Sequence, residues 1–440
     1  MSQEPDFDAF DDWLVYGPAG LWPSFYRQDR ELTVEQKKIV ERNAGLLLDR
    51  EAWSAHVAAF EEQLALIEDE EERSKTRAIF QIRFNDHIFP DNKAKFSDLH
   101  FPCSVSFHGA TFGGGNVLFN RAVFEDGSVE FDGATFGDGN VSFSGATFGD
   151  GYVLFIGATF GKGNVVFSET KFGGEDVFFD NIKLITASIF FSGIDVAGNL
   201  FVRGTIFPKE ANFQRASVKG TADFSDNTFH EVPDFRDTVF ARSPEVARME
   251  VPPPEMEGKR LLKTAKDAED VSKYRKLKAM ALAANDHEKD IEFFAYEMRA
   301  KRGREKGSIK WYDLLTNWLY FKVSNFGQSY WRPLACLLIS LVVFIAPYFW
   351  MVRSFLPTSE AIWFGFGHSW RNFMPLLSSL FRFAARPEGH PSGYDEIFHK
   401  LAHDGGPLDL LVYLGIFQNF IGLILLFLLL LGLRNKFRLK

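Results

Sequence analysis

Residues 107–178 read FHGATFGGGNVL, FNRAVFEDGSVE, FDGATFGDGNVS, FSGATFGDGYVL, FIGATFGKGNVV and FSETKFGGEDVF, one twelve-residue phrase written six times. A fixed period with Phe at two set places per unit is the mark of a solenoid. One series, Phe107, Phe119, Phe131, Phe143, Phe155, Phe167, Phe179 and Phe191, recurs every twelve residues. A second, Phe112, Phe124, Phe136, Phe148, Phe160, Phe172 and Leu184, follows each by five. Two places before each Phe stands a smaller apolar residue, such as Ala110 or Val117. That alternation has the period of a short strand, not of a helix.

Spacings of five and then seven predict a four-sided coil of 24 residues, its longer steps absorbed at Gly-Asp-Gly corners such as Gly137-Asp138-Gly139. Glycine suits such a corner because it accepts positive φ and close backbone approach. Phe131 is then expected to stack between Phe107 and Phe155 at about 4.8 Å. Ring contacts are expected between residues 24 apart, rather than 20 or 12. The corner Asp residues are expected to have no partners.

The triplets Ala110-Thr111-Phe112, Ala211-Asn212-Phe213 and Ala222-Asp223-Phe224 resemble the pentapeptide-repeat motif Ala-(Asp/Asn)-(Leu/Phe)-x-x. The resemblance covers residues 84–240, about a third of the chain. It implies a right-handed quadrilateral β-helix. The two-residue insertions depart from the family pattern.

Four hundred and forty residues exceed one compact domain, and the charge divides them. Residues 1–240 hold 21 Lys/Arg against 38 Asp/Glu, whereas 241–440 hold 28 against 20. The two cysteines, Cys103 and Cys336, lie in unlike contexts, which predicts reduced thiols rather than a disulfide. The acidic, polar start MSQEPDFDAFDD does not read as a secretory signal.

Five segments follow. Residues 1–83 are expected to form a helical cap, with one helix from a Thr33–Gln36 capping box and a second from Trp53 to about Arg77. Open coil ends expose backbone and rings, so a solenoid needs covering there. Residues 84–240 are the β-helix, 241–255 a Pro-rich spacer around Pro252-Pro253-Pro254, and 256–330 a helical linker. Residues 331–440 read as a membrane domain. Its uncharged runs 334–352 and 410–433 are long enough to cross a bilayer, separated by the loop 353–409. Basic residues precede the first run and follow the second, while the loop holds five basic and six acidic groups. The positive-inside rule predicts an inner-membrane protein with both termini cytoplasmic.

Within the loop, residues 359–383 carry Trp363, Trp370 and Phe373 among few charges, so they are expected to lie on the membrane surface or to re-enter. Gln418 and Asn419, mid-run, are expected to pack between helices or to line a pore. Glu396, His399 and His403 would share a helical face and are weak metal candidates. No nucleotide loop or catalytic constellation is recognisable, so neither an enzyme nor a cofactor is expected.

These readings converge on a non-enzymatic scaffold: a β-helix that binds an unidentified protein, held in the lipid bilayer. Self-association is compatible with it. One alternative is an oligomeric two-span channel or membrane effector gated by the β-helix. Another follows gyrase-binding pentapeptide-repeat proteins, whose acidic rods mimic DNA; direct binding of nucleic acid is not expected of so acidic a rod.

Overall fold

A computed structural model describes residues 5–6, 10, 15–16, 34–91, 94–257, 264–301, 311–373, 400–401, 403 and 405–438. The described chain separates into two compact units, 1–255 with 266–297, and 256–265 with 298–440.

The first unit is a four-faced β-solenoid of about seven turns. Face 1 stacks seven two-residue strands from Ile88–Phe89 to Thr228–Phe229, and face 2 five from Val117–Leu118 to Ala211–Asn212. Face 3 stacks seven from His100–Phe101 to Val239–Phe240. Face 4 runs from Phe80–Arg83 to Ala222–Asp223, with Val15–Tyr16 added antiparallel at its start. All other solenoid pairings are parallel, and Phe136 lies in register with Phe112 and Phe160, 24 residues away on either side.

Each face is an inward–outward–inward triplet, Ala110-Thr111-Phe112 or Val117-Leu118-Phe119, with the flanking two residues buried. Corners of two and of four residues alternate between triplets, which is why the rings step by five and then by seven. Apart from Gly127, at 140° in a four-residue corner, the positive φ of the coils lies in the two-residue corners: Gly133 at 63°, Gly145 at 67°, and Arg121, Glu169 and Asn181 at 53–60°. Ala134 N donates to Phe131 O across such a corner at 3.1 Å, closing a four-residue turn whose third residue is left-handed.

The four-residue corners, where the sequence reading placed both demands on glycine, need it for close approach instead. A Cβ on Gly139 would stand 2.2 Å from Gly115 O, and one on Gly163 2.1 Å from Gly139 O. The corner acids do have partners, contrary to expectation. Asp138 pairs with Lys162 at 2.5 Å, and Asp150 Oδ1 accepts from Gly174 N at 2.9 Å. A side chain repeated at each coil faces its own neighbour, so a corner ladder forms without further design.

The core is a column of rings. Phe131 stacks on Phe107 and on Phe155, both at 4.8 Å between centroids and 6° between planes. Contacts 12 apart occur as well. Phe131 meets Phe119 at 5.6 Å and Phe143 at 5.4 Å, edge to face at 82° in both. Faces 2 and 4 oppose each other half a coil out of phase, so their rings interleave, whereas the four-sided reading considered only the axial stack. Phe112, Phe136 and Phe160 flank this zipper on one side, and Phe124, Phe148 and Phe172 on the other.

Past Phe191 the coil shortens: Ile189 pairs with Ala211, a step of 22 residues. The wide corners there hold three residues, such as Ala197-Gly198-Asn199, in place of four. The ladder also continues beyond Phe240, the expected end. Glu250 N donates to Asn227 O, and Val246 and Met249 are buried.

Helices close both ends. α1 (Val34–Leu48), α2 (Arg50–Leu64) and α3 (Glu70–Ile79) precede the first coil. The expected single helix from Trp53 to Arg77 is therefore two, because Asp69 starts a new one by accepting from Glu71 N. Trp53 is buried against Phe101 at 5.2 Å, and its Nε1 donates to His100 O at 2.9 Å. Thr33 and the side chain of Gln36 lie outside the described residues.

At the other end, α4 (Asp270–Ala283) and α5 (His287–Lys301) fall in the expected helical linker. α4 instead caps the last coil: Lys276 Nζ donates to Thr238 O at 2.6 Å, Tyr274 Oη to Pro252 O at 2.6 Å, and Arg236 pairs with Glu269. Pro254 is buried, so the proline run is packed rather than a free spacer.

Candidate functional site in the carboxy-terminal helix bundle

The second unit holds α6 (Trp311–Ser324), α7 (Trp331–Val352), α8 (Thr358–Phe373) and α9 (Leu408–Arg438). α7 and α9 are long and apolar enough to cross a membrane. Most of their surface faces away from the protein. Val342, Trp350, Tyr413, Ile416, Phe420 and Phe427 are each more than half exposed. Core helices of soluble proteins bury such residues, and an apolar surface this extended calls for lipid or a partner.

Polar side chains fix the packing. Tyr348 Oη donates to Gln418 Oε1 at 2.9 Å, and Gln418 Nε2 donates to Ser369 O and Oγ at 3.1 and 2.9 Å. Ser369 Oγ donates to Leu341 O at 2.6 Å. Asn419 Nδ2 donates to Asn372 Oδ1 at 2.9 Å and to Gly415 O at 3.0 Å. Buried polar groups without partners are costly in apolar surroundings, so this seam sets the register of three helices. Both Gln418 and Asn419 thus lie in interhelical hydrogen bonds within one chain. The sequence missed Tyr348, Ser369 and Asn372, whose spacing on their own helices carries no sign that they converge.

The contacts also give direction. Along α8, Ala361 shares a buried cluster with Val352, Gly365 lies against Ile345 O, Ser369 bonds Leu341, and Phe373 shares a cluster with Leu337 and Leu425. α8 therefore runs antiparallel to α7. Val352 and Leu337 are about 22 Å apart at 1.5 Å per residue, which is the depth α8 covers. α9 also runs antiparallel to α7, with Phe417 against Phe344, Gln418 bonded to Tyr348 and Gly432 against Tyr330. Phe373, at the end of α8, shares a buried cluster with Leu337, whereas Leu401, against Gly406 just before α9, belongs to the cluster that holds Val352 and Leu356. The expected loop beyond the two runs is thus, over α8, a third helix alongside them. Phe373 is buried in the bundle, while Trp363 and Trp370 are exposed, Trp370 resting against Phe373 at 5.3 Å between ring centroids. Gly365 permits the close approach, since a Cβ would stand 3.0 Å from Ile345 O.

Between α6 and α7, Asn325, Phe326 and Gly327 all take positive φ, at 50°, 56° and 82°. A buried Phe in that region is held by its surroundings. Arg299 Nη2 donates to Asn325 Oδ1 at 2.9 Å, and Asn435 Nδ2 from the end of α9 donates to Gly327 O at 3.1 Å. Lys436 Nζ lies 4.5 Å from the centre of the Tyr330 ring.

Of the metal candidates, Glu396 and His399 lie outside the described residues, and His403 is exposed. Among the described residues, no group of three or more His, Cys, Asp or Glu could hold a metal ion. The chain matches no family model, no curated protein and no solved structure among those compared.

Proposed function

We propose that this chain is a membrane-anchored binding scaffold, a member of the pentapeptide-repeat proteins that presents a capped β-helix to a protein partner in the bacterial cytoplasm. One observation carries the reading: α7 and α9 expose long apolar surfaces, while the β-helix is closed by helices at both ends. Closed ends leave the four outer faces as the accessible surface of the rod. Basic groups outside both apolar runs favour cytoplasmic termini.

A benzophenone photo-cross-linker at Thr135, Val166, Lys171 or Glu130, one on each face of the full chain in its host membrane, tests the binding role. A discrete protein adduct from one face, absent from the others, is expected. No adduct from any face would contradict a scaffold.

The depth of α8 favours a second reading, a channel or membrane effector. A helix descending between two spans is a component from which an oligomeric pore can be built. Ion flux through proteoliposomes that is abolished by Gly365→Leu would support it, and tight liposomes would remove it.

A further inference from the structure

The outward centres of face 2 and the residues directly flanking them, from Asn116 to Ser192, are only Asn, Ser, Leu, Val and Phe over four coils, with the exposed Arg121 and Glu169 at the corner beyond. Face 3 carries Lys171 and Asp195 at its outward centres; face 4 has Leu154, Phe178 and Phe201 at three successive centres, but these lie between Glu130 and Asp223 and are flanked by Asp176, Asp180 and Arg203. Face 1 is uncharged over Thr111, Thr135 and Thr159 but has no apolar residue at those positions.

Much of the polar capacity of face 2 is spent within it. Asn140 N donates to Asn116 Oδ1 at 2.9 Å and Asn164 N to Asn140 Oδ1 at 2.8 Å. Ser168 and Ser192 share a hydrogen bond at 2.9 Å, and Ser142 Oγ bonds Asn120 Oδ1. These bonds engage the Oδ1 acceptors within the face and leave the Asn Nδ2 groups to donate across a contact, where an uncharged amide costs less to desolvate than a charge. Along its centre run Leu118, Val166 and Phe190, partly exposed. Lys95 stands one coil before Leu118, and Glu210 one coil after Ser188; both are exposed.

We infer that face 2 is the contact between two copies of this chain, paired antiparallel about a two-fold axis. That pairing sets Leu118 of one copy opposite Phe190 of the other, and Val166 opposite Ser142. It also brings Lys95 to the end that carries Glu210, at both ends of the contact. A two-fold contact must be self-complementary. In a rod with 20 acidic against 11 basic residues over 84–240, a charge-free face avoids like-charge repulsion. Four coils bury roughly 300 Å² per copy at ~4.8 Å between strands and ~3.3 Å per residue. A stable soluble complex buries about 800 Å² per partner. The contact therefore depends on tethering in a bilayer, which raises the effective concentration, and in this it rests on the anchoring proposed above.

The test uses full-length Cys336→Ser chain in proteoliposomes, with Cys103 left in place because it is wholly buried. Flotation with the liposomes after carbonate washing is scored first, so that a failure of anchoring is seen separately. Val166→Cys treated with a short bismaleimide should give a dimer band at least five times stronger than Thr147→Cys on face 3. Leu118→Cys alone should not link, whereas Leu118→Cys mixed with Phe190→Cys should. Lys95→Glu and Glu210→Lys should each weaken the Val166→Cys link, and together restore it. Anchored protein that links no better at Val166 than at Thr147 would overturn the inference. Self-linking of Leu118→Cys would overturn the antiparallel pairing.

Discussion

At the residue scale, one side chain's contribution depends on whether the next coil can give way. Phe143 touches Phe119 and Phe167 above and below and Phe131 and Phe155 across the core. Phe143→Ala should cost about 3–5 kcal/mol, because stacked strands cannot collapse into the gap. The exposed Asp138–Lys162 pair is of the kind that contributes little, so Asp138→Ala should cost about 0.5 kcal/mol or less. Glycines separate into two kinds. Gly139→Ala drives a Cβ into backbone and should cost about 1–3 kcal/mol. Gly133 has open space around its missing Cβ and a φ of 63°, so Gly133→Asn should be nearly neutral, as Asn181 at φ 53° already shows. Denaturant midpoints of the solenoid transition check the order; equal effects at Gly139 and Gly133 would contradict it. The sequence showed that glycine marks the wide corners but not which of its two properties they use, since close approach is a relation between coils.

At the scale of elements, the caps decide whether the stack holds its ends. Trp53→Ala should cost about 3–5 kcal/mol and raise hydrogen exchange first in residues 80–106. Protonation acts at the same end. Burial holds His87 below the ordinary histidine value of 6.5. The unfolded chain then takes up this proton first, so stability is full above about pH 6.5 and falls as acidification passes through it. The hydrogen bond from His100 holds Glu125 below 4.5, and the stability it contributes is present above that value and lost as pH falls through the lowered pKa. Exchange of residues 80–106 measured from pH 7.5 to 5.5 should accelerate beyond the intrinsic rate, and His87→Gln should flatten that excess. An unchanged slope would remove His87 from the account. The strand periodicity and both apolar runs were legible because each repeats or persists along the chain. The C-terminal cap was not: Tyr274 and Lys276 look like ordinary helix residues until the last coil places Pro252 and Thr238 beneath them.

Over the whole molecule, the proposed function turns on which surfaces would meet water and which would meet lipid. The order of cap, solenoid and apolar helices was readable from composition and period. The path of α8 was not, because its aromatic residues suit a membrane surface as well as a bundle; only the approach of Gly365 and Ser369 to α7 decides between them. α8 and the return of the chain to Leu401 leave the sides on which the two ends lie unchanged. Labelling of intact spheroplasts with an impermeant maleimide is the most direct test of a cytoplasmic β-helix held by membrane helices. In Cys336→Ser chain, Ser354→Cys in the turn between α7 and α8 should react in intact cells. Lys219→Cys, exposed on the solenoid, should react only after permeabilisation. Labelling of Lys219→Cys in intact spheroplasts would contradict the account.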